Sequence, residues 1–364
     1  MWRALTFTLL VGASLSCEHR NTILLTVTPN GPDAASEINA QISALPPEGG
    51  VVDARALSGV QHLQTQLVLS KPVTLLLGAA QLLCEMPGAQ PCIRVSRPSH
   101  IEMLRASTPT KQGEEIPLGG TSIIAGPAFA GFLISVEDTS NWNTAFGTRI
   151  EGGVLDGNQQ NANGIHIQNQ FGVQVSDVNI VRPNIGVQLE NTDRLWTEGS
   201  SLNNLWIFDP RTAGIDMRAT GTGSTSVANA MWQRIYINLY TSGSVGVKSA
   251  GVFFSNSRVN LLKVWMSSGN DGQNCSSALP VTLTGMHIGG PMIGTTFANM
   301  NVEALSCPGS NLTAVNVDPS IIQPTFENLI VQGTPLPTVR WGRSFQNGDL
   351  GVNIYNSASA PNIP

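Results

Sequence analysis

The sequence predicts an all-β solenoid, a stack of coils made from short strands, on three observations. A Gly-apolar-x-apolar segment recurs along the chain, each copy followed by a second segment reading polar-apolar-x-apolar. Corresponding segments return about every 22 to 37 residues, a period at which repeats build quasi-one-dimensional stacks. Each segment alternates apolar and polar as a strand with one buried face does, and none carries a helical period.

In chain order, residues 1–17 read as an export signal. Arg3 supplies a basic start, Ala4 to Val11 an apolar stretch, and Gly12 to Ser16 a small-residue cleavage zone. The stretch is too short to span a bilayer, and no later one reaches its uninterrupted length. Cys17 follows Ser14-Leu15-Ser16, which resembles a bacterial lipoprotein box with its leucine one position late; Cys17 is thus a candidate for lipidation. Residues 18–33 are expected to form a loose leader.

From Asp33 to Leu45 the pattern is helical, with Ile38, Ile42 and Leu45 on one face and Pro46-Pro47 as the stop. Strands are expected at Gly49-Gly-Val-Val-Asp-Ala, Gln66-Leu-Val-Leu and Val73-Thr-Leu-Leu-Leu. An apolar-striped helix just before a strand stack is expected to plug its open end, since an uncovered end exposes apolar side chains and strand edges. The stack is read over residues 34–335. Three polar, turn-rich excursions leave it at 105–120, 219–230 and 267–280, and loops on a rigid scaffold are where function concentrates. Residues 336–364 form a tail expected to pack along the last turn.

The repeat itself begins weakly with Gly131-Phe-Leu-Ile and Gly153-Val-Leu-Asp. It continues as Gly164-Ile-His-Ile with Asp177-Val-Asn-Ile, Gly186-Val-Gln-Leu with Asn204-Leu-Trp-Ile, and Gly214-Ile-Asp-Met with Arg234-Ile-Tyr-Ile. Then come Gly251-Val-Phe-Phe with Leu262-Lys-Val-Trp, Gly285-Met-His-Ile with Asn299-Met-Asn-Val, and a last strand at Asn328-Leu-Ile-Val. The helix followed by Gly-Gly-Val-Val, the phrase Gly153-Val-Leu-Asp-Gly-Asn and these repeats resemble the pectin-lyase-like superfamily of right-handed parallel β-helices. The likeness covers about residues 30–335. It implies fold; that scaffold hosts lyases, hydrolases, epimerases, esterases, phage tailspikes and inert surface proteins, so it does not imply one activity. The export signal speaks against a tailspike.

Composition narrows the partners. With 19 Lys and Arg against 24 Asp and Glu, the chain lacks the basic face that a nucleic acid requires. A polysaccharide or a cell-surface glycan is the expected partner, and an acidic one would need a local basic patch or bound cations. The protein is expected to be secreted, or to sit at the cell surface or in the periplasm, with or without a lipid at Cys17. Cys84 with Cys92 and Cys275 with Cys307 are candidate disulfides, as exported chains permit. Asn274 and Asn311 lie in glycosylation sequons. Oligomeric state is left open.

Candidate chemistry follows from alternation. In each Gly-apolar-x-apolar strand the apolar residues face inward, so the residue between them faces out. This places His166, Gln188, Asp216, Phe253 and His287 in one outward row, and Gln168, Glu190, Arg218 and Ser255 two residues along. Rungs about 4.8 Å apart would gather His166, Gln188, Glu190, Asp216 and Arg218 into one polar patch. Glu190 and Asp216 would be an acid/base pair with Cα atoms about 8 Å apart, compatible with the roughly 5 to 9.5 Å between glycosidase carboxyls. Arg218 would neutralise a sugar carboxylate or serve as a lyase base. The plainer alternative is a cross-strand Glu190–Arg218 ion pair on a solvated face, with His166 and His287 as surface residues.

Asn191-Thr192-Asp193 looks like the first polygalacturonase motif, but Arg194 follows it, and the Asp-Asp, Gly-His-Gly and Arg-Ile-Lys motifs are missing. Asp193 stays a candidate substrate-binding residue beside the patch, with His166, Gln188 and Trp206. Trp206 is read as outward, a sugar-stacking ring or a packing residue, and Trp265 as inward; Trp196 and Trp232 are read as packing residues. Calcium is conceivable as a cofactor, but six to eight converging oxygens are not evident, no zinc spacing appears, and no metal site is assigned. The expectation is a β-helix that acts on polysaccharide by lyase or hydrolase chemistry, or one that only binds glycans or serves as a surface structure.

Overall fold

A coil whose apolar face is turned inward must satisfy its backbone N–H and C=O groups from the coils above and below. A chain that returns to the same edge in every turn supplies them as parallel ladders. The computed structural model describes residues 23–28, 31–106, 120–137, 143–158, 161–192, 196–220, 226–250, 252–268, 279–318, 324–340 and 352–356. They form a right-handed parallel β-helix with an N-terminal capping helix, the architecture the resemblance implied.

One face is a ten-stranded sheet running from Leu67–Leu69 through Phe132–Glu137, Asn163–Gln168, Ile185–Thr192, Ala213–Thr220, Val245–Ala250 and Thr282–Gly289 to Thr338–Arg340. A nineteen-stranded composite sheet makes most of the remaining wall, and a small sheet of Trp196–Glu198, Ser226–Ala228 and Phe253–Ser255 follows the ten-stranded one in three coils. Inward residues stack in columns: Ile165, Val187, Ile215, Val247 and Met286 are direct partners on successive rungs, each at most 1% exposed. Burying an aliphatic side chain of this size contributes roughly 1.5–3 kcal/mol.

Two backbone devices fix the cross-section. The composite sheet bends at a column of left-handed residues, Gly152, Asp177, Asn204, Arg234, Leu261 and Asn299, with φ between 54° and 78°. Asn and Asp suit this conformation because a short polar side chain bonds locally, and Asn204 Nδ2 donates to Asp177 Oδ1 at 2.6 Å. At the entrance to the ten-stranded sheet the coils press together. A Cβ on Gly214 would lie 2.7 Å from the Gly246 carbonyl oxygen and 2.8 Å from Ile237 Cγ2.

The repeat frame differs from the expected one at three places. The coil after Gly214 enters the ten-stranded sheet at Gly246-Val-Lys-Ser, since Asp216 pairs with Lys248; Phe253 and Ser255 belong to the small sheet. Ile134 pairs with Ile165 and Ser135 with His166, so Gly131 stands two residues out of register with Gly164. Leu262, Val264 and Met266 are buried, which turns Lys263 and Trp265 outward, half-buried rather than inward.

Helix α1 (Ala34–Ala44) closes the N-terminal end. Asp33 caps it, accepting from Ala35 N at 3.2 Å, and ties it to the first coils by accepting from Gln64 N at 3.0 Å and Thr65 Oγ1 at 2.7 Å. Ile38, Ile42 and Leu45 are buried. Asn39 serves the edge strand Leu67–Leu69: its Nδ2 donates to the Gln66 carbonyl at 2.8 Å and its Oδ1 accepts from Val68 N at 2.9 Å. The leader is not wholly loose, for Leu24–Thr26 pairs with Gly50–Ala54. The tail also extends the ladder, through Thr338–Arg340 and the backbone of Val352–Asn356.

Cys84 and Cys92 form a disulfide. Cys307 is disulfide-bonded as well, while Cys275, Asn274 and Cys17 lie outside the described residues, as does the export signal; Asn311 is exposed at the start of its strand. Among the described residues no helix is long and apolar enough to cross a membrane.

Candidate functional site

The ten-stranded sheet carries an outward row in which Ser135, His166, Gln188, Asp216, Lys248, His287, Asn316 and Arg340 are direct partners on successive rungs. Two residues along, Glu137, Gln168, Glu190 and Arg218 make a second row. Outward here does not mean solvated. His166 is only 5% exposed and Asp216 only 1%, so His166 is not the surface residue that alternation alone suggests.

His166 is the centre of the patch. The Phe132 ring lies against it, centroids 4.5 Å apart and planes 14° from parallel. Its Nδ1 is 3.1 Å from Ser135 Oγ and 3.3 Å from Glu137 Oε2, and its Nε2 is 2.8 Å from Glu190 Oε2. Glu190 also accepts from Gln188 Nε2 at 2.7 Å and, on Oε1, from the Thr220 hydroxyl at 2.9 Å. Glu137 accepts from Ser135 Oγ at 2.7 Å, with Arg94 Nε 3.8 Å away.

The electrostatics follow from these contacts. For His166 burial is the largest single influence and favours the neutral ring, but hydrogen bonds and charge from Glu137 and Glu190 together raise its pKa above the ordinary 6.5. For Glu137 and Glu190 burial likewise pushes upward and is outweighed, by His166 with Ser135 and Arg94 in one case and by His166 with Thr220 and Gln188 in the other. Both carboxyls therefore lie below the usual 4.5. The contacts thus favour the charged form of the ring, with one carboxylate near each ring nitrogen.

Glu190 and Asp216 do stand on adjacent rungs, offset by two residues, because Gln188 pairs with Asp216 and Glu190 with Arg218. Their partners are not the expected ones. Arg218 folds back along its own strand onto Asp216, with Nε 2.9 Å from Oδ2 and the terminal nitrogen closer still, so the cross-strand Glu190–Arg218 pair does not form. Lys248 takes the place expected for Phe253, and its ammonium has no ion-pair or hydrogen-bond partner among the described residues. His287 lies 3.4 Å from Asp318.

Trp206 is outward but on the composite sheet, where its ring stacks on Tyr236 with centroids 4.7 Å apart. Asp193 lies outside the described residues, and so do 107–119, 221–225 and 269–278, the cores of the three excursions. Among the described residues no group of three or more His, Cys, Asp or Glu side chains is arranged to hold a metal ion. A separate open depression of about 480 Å³, lined by Val51, Thr74, His100 and Arg149 among others, lies on the early coils of the composite sheet, away from this patch.

Ser135 and Glu137 are the members that sequence reasoning missed. Aligning Gly131 with Gly164 puts Leu133 opposite His166, whereas pairing by Ile134 and Ile165 brings Ser135 there. The available signal was the polar Ser135-x-Glu137 pair, matching His166-x-Gln168 and Gln188-x-Glu190.

No family model matches the sequence, and no curated protein matches it. Solved structures do. The ORF18 protein of Geobacillus virus E2 is 11% identical with a TM-score of 0.43, over 92% of this chain and 60% of that one. The enzymatically active domain of bacteriophage CBA120 tailspike protein 2 gives the same identity and TM-score over 92% and 52%. The likeness is one of fold. The endo-xylogalacturonan hydrolase of Aspergillus tubingensis is 14% identical with a TM-score of 0.35, over 93% of this chain and 100% of its own. The chain thus spans about half to three fifths of the two virus proteins.

Proposed function

We propose that the protein holds an extracellular or cell-wall polysaccharide along the outer face of the ten-stranded sheet, with the His166–Glu190 cluster as the recognition centre. One observation carries this reading: each carboxylate of the patch is engaged by a basic side chain, Glu137 and Glu190 by His166, and Asp216 by Arg218. A surface of pre-oriented charged and amide groups suits sugar hydroxyls, which donate and accept at once. Glycoside cleavage instead requires a carboxyl kept protonated as the acid. Glu137 and Glu190 are held in the opposite state, and Asp216 is buried beneath its guanidinium partner. Arg218, ion-paired, is poorly suited to take a proton as a lyase base. The Cys84–Cys92 disulfide supports an oxidising, extracytoplasmic setting.

A catalytic reading has one observation in its favour. Glu190 and His166 are driven in opposite directions within a single contact, the pattern by which acid and base roles are often assigned. There Glu190 would be the base and His166 the proton donor, with Asp216 and Arg218 as supporting groups.

The deciding experiment is a screen of the protein against neutral and acidic polysaccharides, reading binding, reducing-end release and unsaturated-uronate absorbance, with and without calcium. Binding without product, weakened about tenfold by Glu190→Gln through loss of a charge-assisted bond, is the expected result. Product formed by the wild type and lost in Glu190→Gln would establish the catalytic reading. No binding to any glycan would overturn both.

A further inference from the structure

We propose that the open depression on the early coils is a second ligand site, one that takes a compact hydroxylated carboxylate of the sugar-acid class. It lies on a different wall of the solenoid from the His166–Glu190 cluster, and neither reading depends on the other. Its volume of about 480 Å³ is within the range of pockets that hold small molecules. The floor is one outward column of the composite sheet, in which Val51, Thr74, His100 and Arg149 are direct partners on four successive rungs. Pro72 and Pro98, just ahead of two of these strands, add apolar lining.

The polar groups of this column are uncommitted. Arg149 is exposed, and its guanidinium makes no ion pair or hydrogen bond among the described residues. Arg55 and Arg218 each fold onto a carboxylate two residues away. Arg149 has Glu151 at that spacing, but Glu151 is held by Arg105 at 3.0 Å. The Thr74 hydroxyl likewise bonds to nothing among the described residues. On His100, Nε2 is shielded from solvent without a hydrogen bond, 3.7 Å from Glu151 Oε2. That carboxylate favours the tautomer with its proton on Nε2 and leaves Nδ1 to accept from a ligand.

These groups together select a ligand. A guanidinium fork takes both oxygens of a carboxylate. His100 and Thr74 stand roughly 5 and 10 Å further along the column, one an acceptor and the other a hydroxyl that donates and accepts, which suits hydroxyls on the same molecule. Val51 and the two prolines offer apolar surface to its C–H face. The neighbouring outward row is acidic, with Glu102 and Glu151 as direct partners, and it opposes any charge beyond the one that Arg149 neutralises. A phosphate, with about 1.5 to 2 negative charges at neutral pH, is therefore a poorer fit than a carboxylate.

The test is a titration of the full chain with sodium glucuronate, read by NMR of the ring protons of its five histidines, with His100→Asn identifying the His100 signal. Inorganic phosphate and glucose are titrated in parallel at constant ionic strength. Glucuronate should move the His100 signal to saturation, phosphate should require an about tenfold higher concentration, and glucose should leave the signal in place. Arg149→Gln should weaken glucuronate binding about tenfold at an unchanged melting temperature. Arg258→Gln, which removes a guanidinium from the same column four rungs on, should bind as the wild type. If Arg149→Gln melts early, Thr74→Val takes its place, as a β-branched residue of similar shape suited to a strand, and should also weaken binding. A His100 signal that glucuronate leaves in place, that phosphate or glucose moves as readily, or that responds equally in the wild type and these two variants would overturn the site. Each of those results leaves the glycan reading of the ten-stranded sheet standing.

Discussion

Glu190 Oε2 lies 2.8 Å from His166 Nε2, one rung away, while Glu137 on the opposite neighbouring rung lies 3.3 Å from Nδ1 of the same ring. Three coils are thus joined through one buried imidazole ring. Removing one partner of a buried pair costs about 3–5 kcal/mol; Glu190→Gln keeps the shape and should lie near the lower end. The His166 pKa should fall with it. NMR titration of the ring and a denaturant melt read both effects, and an unmoved His166 titration would remove the ion pair from the account.

The same contacts set a pH dependence. Glu137 and Glu190 titrate below their ordinary 4.5, so their stabilisation is complete above that value and is lost as pH falls through the folded pKa. His166 titrates above its ordinary 6.5, so its stabilisation is complete below 6.5 and is lost as pH rises through the folded pKa. The cluster should therefore contribute fully between 4.5 and 6.5. Denaturation midpoints measured on both sides of that window should fall away from it, and the fall should flatten in His166→Asn.

Leu261 occupies the left-handed bend that Asp177, Asn204 and Asn299 fill on other rungs, and it is 42% exposed. A left-handed conformation costs an ordinary L-residue roughly 1–2 kcal/mol. Leu261→Asn should raise the stability by about 1 kcal/mol, seen as a higher melting temperature. A lower one would mean that the leucine side chain packs more than its exposure suggests.

Gly214 faces the opposite situation. Its added Cβ would meet both the Gly246 carbonyl oxygen and Ile237, so Gly214→Ala should destabilise by about 1–3 kcal/mol, as overpacking does. Chemical denaturation of the variant measures it; a change within error would show that the two coils separate freely.

The coil pattern was legible because strand alternation and recurring glycines are written residue by residue. Its frame was less so. The sequence offers Gly246-Val-Lys-Ser and Gly251-Val-Phe-Phe within a few residues, and only inter-coil pairing selects the first. At the outer bend the recurring polar residue marks the left-handed position, so Leu261, apolar there, displaced the apparent frame by one and turned Trp265 inward on paper. The row of His166, Gln188, Glu190, Asp216 and Arg218 was readable from alternation. Which ion pairs form within it was not, because alternation fixes the face of a side chain and leaves its rotamer free. Arg218 reaches back to Asp216 rather than across to Glu190.

Asp33 also bears on how such a molecule would respond to force. Its carboxylate gathers Ala35, Gln64 and Thr65, fastening the terminal plug to the winding behind it. Inter-coil hydrogen bonds run along the long axis, so tension applied end to end would load the turns in series, each bearing the whole pull. Failure would then proceed by peeling single turns from a terminus, and the Asp33 clasp decides how readily that begins at the amino end.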